Sequence, residues 1–336
     1  MGSTRKLIKW GSSNTLIISL PRKWIKQNNL NANQVVKIQQ NQNGTLTIIP
    51  QDLDMNKTDM ETSVEIKDPD DVENIRLRIM TKYLDGWDII KLTTKKEFQS
   101  DIRLNIGDII EPLMGLEIFG VTPNEITIKN VLSVESSNVN SLVKMISNLT
   151  IELAKMLLQS IIEPKQLNEE LGTVELENIR KYHYRITREQ RRALLHPAIL
   201  TKMELTLQDV LDFSFYVNSV FKIADSIRIM IETIKKHDIP QDTFGIEGYF
   251  SDILESIKDS IDSFLFKETS KAISIIKKIK KQKQHKREIE NKVDVEEQTI
   301  DGCEPKLLSF QIILDVCEQI LDYCEIVCLA ALRRAI

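Results

Sequence analysis

From residue 138 to the C-terminus, strand signals disappear and apolar residues recur at i, i+3, i+4 and i+7 through one long stretch after another. A chain that keeps this spacing for so long is confined to packed helices, because each helix must bury its stripe against a neighbour. The period is interrupted at Pro164, at His196-Pro197, at Pro240, and at Asp301-Gly302 with Pro305 shortly after. These residue types stop helices or open turns. Between the stops the sequence predicts six helices, 138–162, 165–186 with an extension up to 195, 205–236, 246–267, 269–290 and 306–334. Three long helices occurring twice predict an internal repeat within 137–336, the first copy 138–238 and the second 245–336.

That repeat can be tested inside the sequence. The segment "NSVFKIADSIRIM" beginning at Asn218 lies over "DVCEQILDYCEIV" beginning at Asp315, an offset of 97 residues, so that Ile223 meets Ile320, Asp225 meets Asp322 and Ile229 meets Ile326. On these residues the helical half resembles the PhoU family, whose members consist of two three-helix repeats and regulate phosphate uptake. The resemblance implies an acidic i, i+4 pair near the middle of each third helix. Glu318-Gln-Ile-Leu-Asp322 keeps the pair in the second repeat, whereas Phe221-Lys-Ile-Ala-Asp225 has an aromatic where the first acid belongs. Carboxylates four apart project from one helix face and can share a hard cation, and a phenyl ring ligates nothing. The resemblance therefore implies a divalent or iron cation at Glu318 and Asp322, weakened or lost at Asp225. Oxygen donors without His or a suitable Cys suit Mg²⁺, Mn²⁺, Ca²⁺ or iron over a structural zinc. From the residues alone the plainer account is a solvated or salt-bridged face, because acid pairs at this spacing are common in charged helices. Glu255 and Asp259 form another.

The opposite end of the chain is unlike the rest. Its first fifty residues hold seven Lys/Arg and no Asp or Glu, while the remaining 286 hold 38 basic and 49 acidic residues. Unneutralised clustered cations are the electrostatic footprint of a polyanion binder. Two β-prone runs, Leu7-Ile8 and Leu16-Ile17-Ile18 with Leu20, flank the turn cluster Gly11-Ser12-Ser13-Asn14. Pro21 then opens two helical turns that Asn28-Asn29 ends, and residues 35–39 and 45–49 form a second pair of strands around Asn43-Gly44. Fifty residues are too few to bury a core alone, so two copies are expected to intertwine.

The stretch "RKLIKWGSSNTLIISLPRKWIKQNNLNANQVVKIQQNQNGTLTIIP" resembles the AbrB/MazE/SpoVT family of swapped-hairpin DNA-binding domains. The resemblance covers nearly all of residues 4–50 and implies a homodimeric, β-rich platform presenting cations to DNA. On this sequence those cations are Arg5, Lys6 and Lys9 around the first strand, with Arg22, Lys23 and Lys26 on the corner and helix. The blander account is a solvated basic surface whose hairpins only dimerise.

Residues 51–62 read as a linker. Beyond them 62–131 predict a small α/β layer in the order β-α-β-α-β-β, its helices at 72–85 and 101–114 closed by Gly86 and Gly115. No catalytic constellation is visible in it, and a docking or spacing role is the default. The fold class is thus multidomain α+β, a headpiece at 1–50, a spacer at 62–131 and a PhoU-like bundle. An arrangement of this kind is known in archaeal PhoU-related regulators, which extends the resemblance over most of the chain.

Several features are more simply structural. Cys317, Cys324 and Cys328 fall on one helix face and read as small core residues in a reducing compartment, and Cys303 lies in a turn. Nine Lys/Arg between Lys271 and Lys292 suit acidic lipid, nucleic acid or an anionic partner, though a solvated face is simpler. Arg185, Arg188, Arg191 and Arg192 read as a surface stripe, and Trp10, Trp24 and Trp87 as core or dimer anchors. His183, His196, His237 and His285 are scattered. No apolar run approaches the ~20 residues of a bilayer span, so a cytoplasmic protein is expected. The reading that follows is a non-enzymatic regulator of phosphate uptake and phosphate homeostasis. Its partners would be DNA, a second copy of itself, and a phosphate transporter or signalling kinase. The alternative is an adaptor of the transporter or kinase that binds no DNA. A metal-dependent enzyme using Glu318 and Asp322 lacks any accompanying nucleophile–base pair or Gly-rich phosphate loop.

Overall fold

The computed structural model describes residues 4–11, 14–40, 44–50, 59–99, 101–132, 139–162, 170–195, 199–200, 203, 205–236, 246–297 and 304–334. It divides into two compact units, Met1–Asp59 and Met60–Ile336. The predicted breakers Pro164, His196-Pro197, Pro240 and Asp301-Gly302, together with Cys303, His237 and the headpiece turn residues Ser12 and Ser13, lie outside the described residues.

In the first unit β1 (Ile8–Lys9) and β2 (Leu16–Ile17) pair antiparallel, α1 (Arg22–Gln27) follows, and β3 (Val36–Gln40) pairs antiparallel with β4 (Leu46–Pro50). Gly11 and Gly44 take positive φ where the hairpins reverse, and Asn29 does the same just past α1. The order of elements is the predicted one. As a single chain the unit has no buried apolar core among its described residues: Leu7, Ile8, Trp10, Leu16, Ile18, Val35, Ile38 and Leu46 are each more than half exposed.

The second unit begins with β5 (Glu61–Ile66), α2 (Val72–Leu84), β6 (Ile89–Thr94), α3 (Ile102–Ile110), β7 (Leu116–Val121) and β8 (Glu125–Asn130). The sheet order is β5-β6-β8-β7, with β5 parallel to β6 through the α2 crossover and the other pairs antiparallel. Alternation in β6 and β8 sends Ile90, Leu92, Ile126 and Ile128 to one face, where Ile75, Ile79 and Tyr83 of α2 and Ile102 and Ile106 of α3 complete the core. Asp71 caps α2 by accepting from the Asn74 amide at 3.0 Å.

Six long helices follow: α4 (Val139–Ile162), α5 (Thr173–Leu195), α6 (Leu207–Lys236), α7 (Ile246–Leu265), α8 (Thr269–Glu297) and α9 (Glu304–Arg334). The first three pack together, the last three pack together, and α6–α9 and α4–α7 contacts join the two sets around one continuous core. Tyr216 stacks on Phe264 across that join at 3.9 Å between ring centres. Cys317, Cys324 and Cys328 are buried as small core residues, and burial pushes the Cys324 and Cys328 thiols up to about 12.

Two expectations need correction. Helix α4 is long and apolar enough, by length and composition, to cross a membrane; Lys144, Glu152 and Lys155 punctuate it, so that no continuous apolar run shows in the sequence. Here Val143, Ile146, Leu153 and Leu157 turn its apolar face into the bundle core. The second is the burial of Arg185, Arg188 and Arg192 of α5, where a surface stripe is expected. Trp10 is 64% exposed, outside any core of the single chain, as a dimer-contact residue is in a lone copy.

Candidate functional site

The six headpiece cations are all exposed: Arg5 and Lys6 precede β1, Lys9 ends it, and Arg22, Lys23 and Lys26 lie on α1. On the helix, Lys26 follows Arg22 by four residues and Lys23 by three, so the three side chains share a face. None of the six has a carboxylate partner among the described residues, and Arg5 Nη1 donates to the Thr4 carbonyl at 3.2 Å. Among the described residues these cations stand without a carboxylate partner, next to exposed aliphatic strands.

The bundle acids are held differently. Lys286 of α8 is 4% exposed, and its Nζ donates to Asp315 Oδ1 and Glu318 Oε2 at 2.7 Å each, with Glu290 Oε1 at 3.1 Å. Burial by itself would lower the Lys286 pKa, but the hydrogen bonds to Asp315, Glu318 and Glu290 carry it above the usual lysine range. Lys283 donates to Asp322 and lies 3.7 Å from Glu325. In the first repeat Asp225 is gripped within its own helix by Arg228 at 2.9 Å, with Lys222 at 3.8 Å. The structure thus keeps Glu318 and Asp322 on one side of α9 and leaves Asp225 apart from them. As placed, these carboxylates fit ammonium groups, which stand where a shared cation would sit. Among the described residues no group of three or more His, Cys, Asp or Glu forms a metal-holding cluster.

The internal repeat reaches down to this chemistry. Under the 97-residue offset Asp315 and Glu318 correspond to Asn218 and Phe221. His183 of α5 contacts those two, its Nε2 lying 3.0 Å from Asn218 Oδ1 and its ring stacked on Phe221 at 4.2 Å. The second helix of each repeat therefore sends one basic residue to the same two positions of the third helix. In the second repeat the contact is ionic, and in the first it is neutral and aromatic. Burial, opposed by the Asn218 hydrogen bond and reinforced by Lys222, lowers the His183 pKa.

The functional feature that sequence reasoning missed is the C-terminal half of α5. Arg185 and Arg188 are fully buried and Arg192 is 6% exposed, whereas a surface stripe was expected. Only Arg191 is exposed, bound to Asp85 at 2.5 Å. Arg188 donates from Nη1 to the Tyr83 and Trp87 carbonyls at 2.8 Å each and from Nη2 to Asp88 Oδ1 at 2.7 Å. Arg185 donates to Asn130 Oδ1 at 3.2 Å and pairs with Glu189 at 2.9 Å. Arg192 lies 3.5 Å from Asp88. Burial lowers the Arg188 pKa to about 10 against the pull of Asp88. Arg188 thus takes the Tyr83 carbonyl in the last turn of α2, which also accepts from the Gly86 amide at 3.0 Å, and the Trp87 carbonyl beyond it, so the α/β layer is riveted to the bundle. Gly86 stands at φ +93° where an added Cβ would meet Arg192 Cγ at 2.4 Å. The available sequence signal was Glu189, set four residues after Arg185 and three before Arg192, the spacing of an ion-paired and hence buriable cluster.

Two parts of the chain are similar to known proteins. Residues 9–54 match the family described as antidote-toxin recognition MazE, bacterial antitoxin. The N-terminal segment is a MazE/AbrB-type domain. No curated protein matches by sequence. Among solved structures, PhoU from Pseudomonas aeruginosa superposes with a TM-score of 0.51 at 15% identity, covering 59% of this chain and 95% of that one. The phosphate transport system regulatory protein PhoU from Streptococcus pneumoniae gives a TM-score of 0.49 at 15% identity over the same shares. The helical body thus has the PhoU-like fold behind a small β-rich region.

Proposed function

We propose that this chain, which joins a MazE/AbrB-type headpiece to a PhoU-like helical body, is a non-enzymatic cytoplasmic regulator of phosphate uptake whose dimeric headpiece contacts DNA. The observation that carries the reading is the union of the two parts: an unneutralised cationic surface on a unit with no buried core of its own, in one chain with a two-repeat bundle of PhoU-like fold. The exposed Leu7, Ile8, Leu16, Ile18, Ile38 and Leu46 support pairing with a second copy, since a lone unit of this size cannot bury enough apolar surface to fold stably. Pairing would place two sets of Arg5, Lys6, Lys9, Arg22, Lys23 and Lys26 on one platform for the phosphate backbone. The bundle would supply the phosphate-status input by docking on a transporter or a kinase.

For that input to reach DNA, a ligand must bind two bundle states with different affinity, because equal affinity shifts nothing. The arginine rivet makes the α/β layer move with α5, so a displacement of that helix is carried to the segment next to the headpiece linker. The test is retention of the full chain on duplex DNA across a salt series. Wild type should bind with a steep salt dependence, and a variant with Arg22, Lys23 and Lys26 replaced by Glu should not bind. Equal retention of the two would replace this reading by that of an adaptor whose headpiece only dimerises.

A further inference from the structure

The nine cations of α8 between Lys271 and Lys292 divide into two groups. Four face inward and are ion-paired: Lys271 with Asp259 and Asp262, Lys278 with Glu255, Lys283 with Asp322, and Lys286 with Asp315 and Glu318. The other five, Lys277, Lys280, Lys281, Arg287 and Lys292, are exposed and have no ion pair or hydrogen bond among the described residues. They follow one side of the helix over about 22 Å, at 1.5 Å per residue. Lys277 with Lys281, and Lys277 with Lys280, are like-charge neighbours that weaken an isolated helix. The inward four account for the fit of α8 to α7 and α9, and the outward five do nothing for it.

We propose that this outward stripe is a docking ridge for an anionic membrane surface. Ala272, Ile275, Ile279 and Ile289 of α8 are in the bundle core, and the exposed Ile273 alone is too little apolar surface for the helix to insert, so the contact is chiefly electrostatic. The stripe has no Phe, Tyr or Trp with which to stack on bases, and the ring of His285 at its edge is engaged edge-on by Tyr249. α8 packs on α7 and α9. Exposed cations in a row along one helix can meet a flat layer of lipid phosphates together. Glu288 lies exposed within the stripe and leaves it a net charge of +4, while the flanking Glu255 and Asp322 are already engaged by Lys278 and Lys283 and so do not repel the surface at full charge. Clusters of four to eight Lys/Arg are the density at which such attraction becomes effective, each worth about fivefold in partition near an anionic leaflet. This inference is independent of what the headpiece binds.

The experiment is co-sedimentation of the full chain with vesicles of phosphatidylcholine alone and of phosphatidylcholine with phosphatidylglycerol, at low and high salt. Wild type should pellet only with the anionic vesicles and be released by salt. K277Q/K280Q/K281Q/R287Q/K292Q should stay in solution while keeping its melting temperature, since the five replaced side chains have no partners among the described residues. Should that variant melt early, K277Q/K281Q alone should lose partition by more than tenfold. The Arg22, Lys23 and Lys26 to Glu variant should pellet like wild type. Failure of wild type to pellet, equal pelleting of the stripe variants, or loss confined to the headpiece variant would each overturn the proposal. So would a stripe variant that loses duplex DNA affinity while still pelleting with lipid, which would make nucleic acid the occupant.

Discussion

Arg188 Nη2 meets Asp88 Oδ1 at 2.7 Å in a place where the arginine is fully buried and the aspartate nearly so. The bond joins the bundle helix α5 to the residue just before strand β6, a hundred positions earlier in the chain. Desolvating two charges is expensive, and the cost is offset in part because Nη1 also donates to the Tyr83 and Trp87 carbonyls, while the buried Nε–H has no hydrogen-bond partner among the described residues.

Removing one partner should therefore cost far more than the pair is worth. Arg188→Met should destabilise the second unit by about 3–5 kcal/mol, and Asp88→Asn by a comparable amount, because each strands a buried charge. The double variant should lose much less than the sum of the two. Urea unfolding of all three variants with wild type closes the cycle, and additive losses would mean that the two residues do not act as a unit.

Gly86 supports the same joint from the other side. Gly86→Ala adds a Cβ 2.4 Å from Arg192 Cγ at a backbone conformation of φ +93° that L-residues rarely adopt. A loss of about 1–3 kcal/mol is expected from strain alone. Thermal unfolding checks it, and an unchanged midpoint would show that Arg192 and the turn relax freely.

Acid should loosen the first repeat through His183. Its folded-state pKa is lowered by burial, so between the unfolded value near 6.5 and the lower folded value the unfolded chain binds the extra proton. Stability is then complete above about pH 6.5 and declines as the pH falls through that window. The groups facing the ring are Asn218, Phe221, Tyr184 and Lys222. His183→Gln should flatten this part of the pH–stability curve, and an unaltered slope would assign it elsewhere.

Sequence and structure agree best where burial follows a period. The apolar spacing located all six bundle helices, the β-α-β-α-β-β order and the one-sided cysteines, since Cys317, Cys324 and Cys328 obey the same 3.6 rule as their aliphatic neighbours. Helix ends were less legible: α8 runs to Glu297, because its polar C-terminal turns carry no apolar stripe to follow. The arginine rivet was misread for a physical reason. Charge normally signals solvent, and Arg185, Arg188 and Arg192 are buried only because carbonyls and carboxylates from a separate layer converge on them. Likewise the spacing of Glu318 and Asp322 showed a shared face but not the lysines that α8 lays across it.

Those lysines set a condition on any cation at Glu318. Lys286→Met combined with Lys283→Met leaves Asp315, Glu318, Asp322 and Glu290 without their ammonium partners. Without metal the double variant should melt earlier than wild type. Added Mn²⁺ should raise its melting temperature and leave wild type unmoved, because only the variant has carboxylates free to share a hard cation. A strong Mn²⁺ response of the wild-type chain would mean that the lysines yield readily and that the acids are a metal site after all.

The central claim joins a DNA-contacting headpiece to a phosphate-responsive bundle, and genome-wide crosslinking of the full chain to DNA in phosphate-rich and phosphate-starved cells tests it most directly. The account predicts discrete sites beside phosphate-uptake genes whose occupancy changes with phosphate and vanishes when Arg22, Lys23 and Lys26 are replaced by Glu. Occupancy indifferent to phosphate, or no crosslinked sites in either condition, would contradict it.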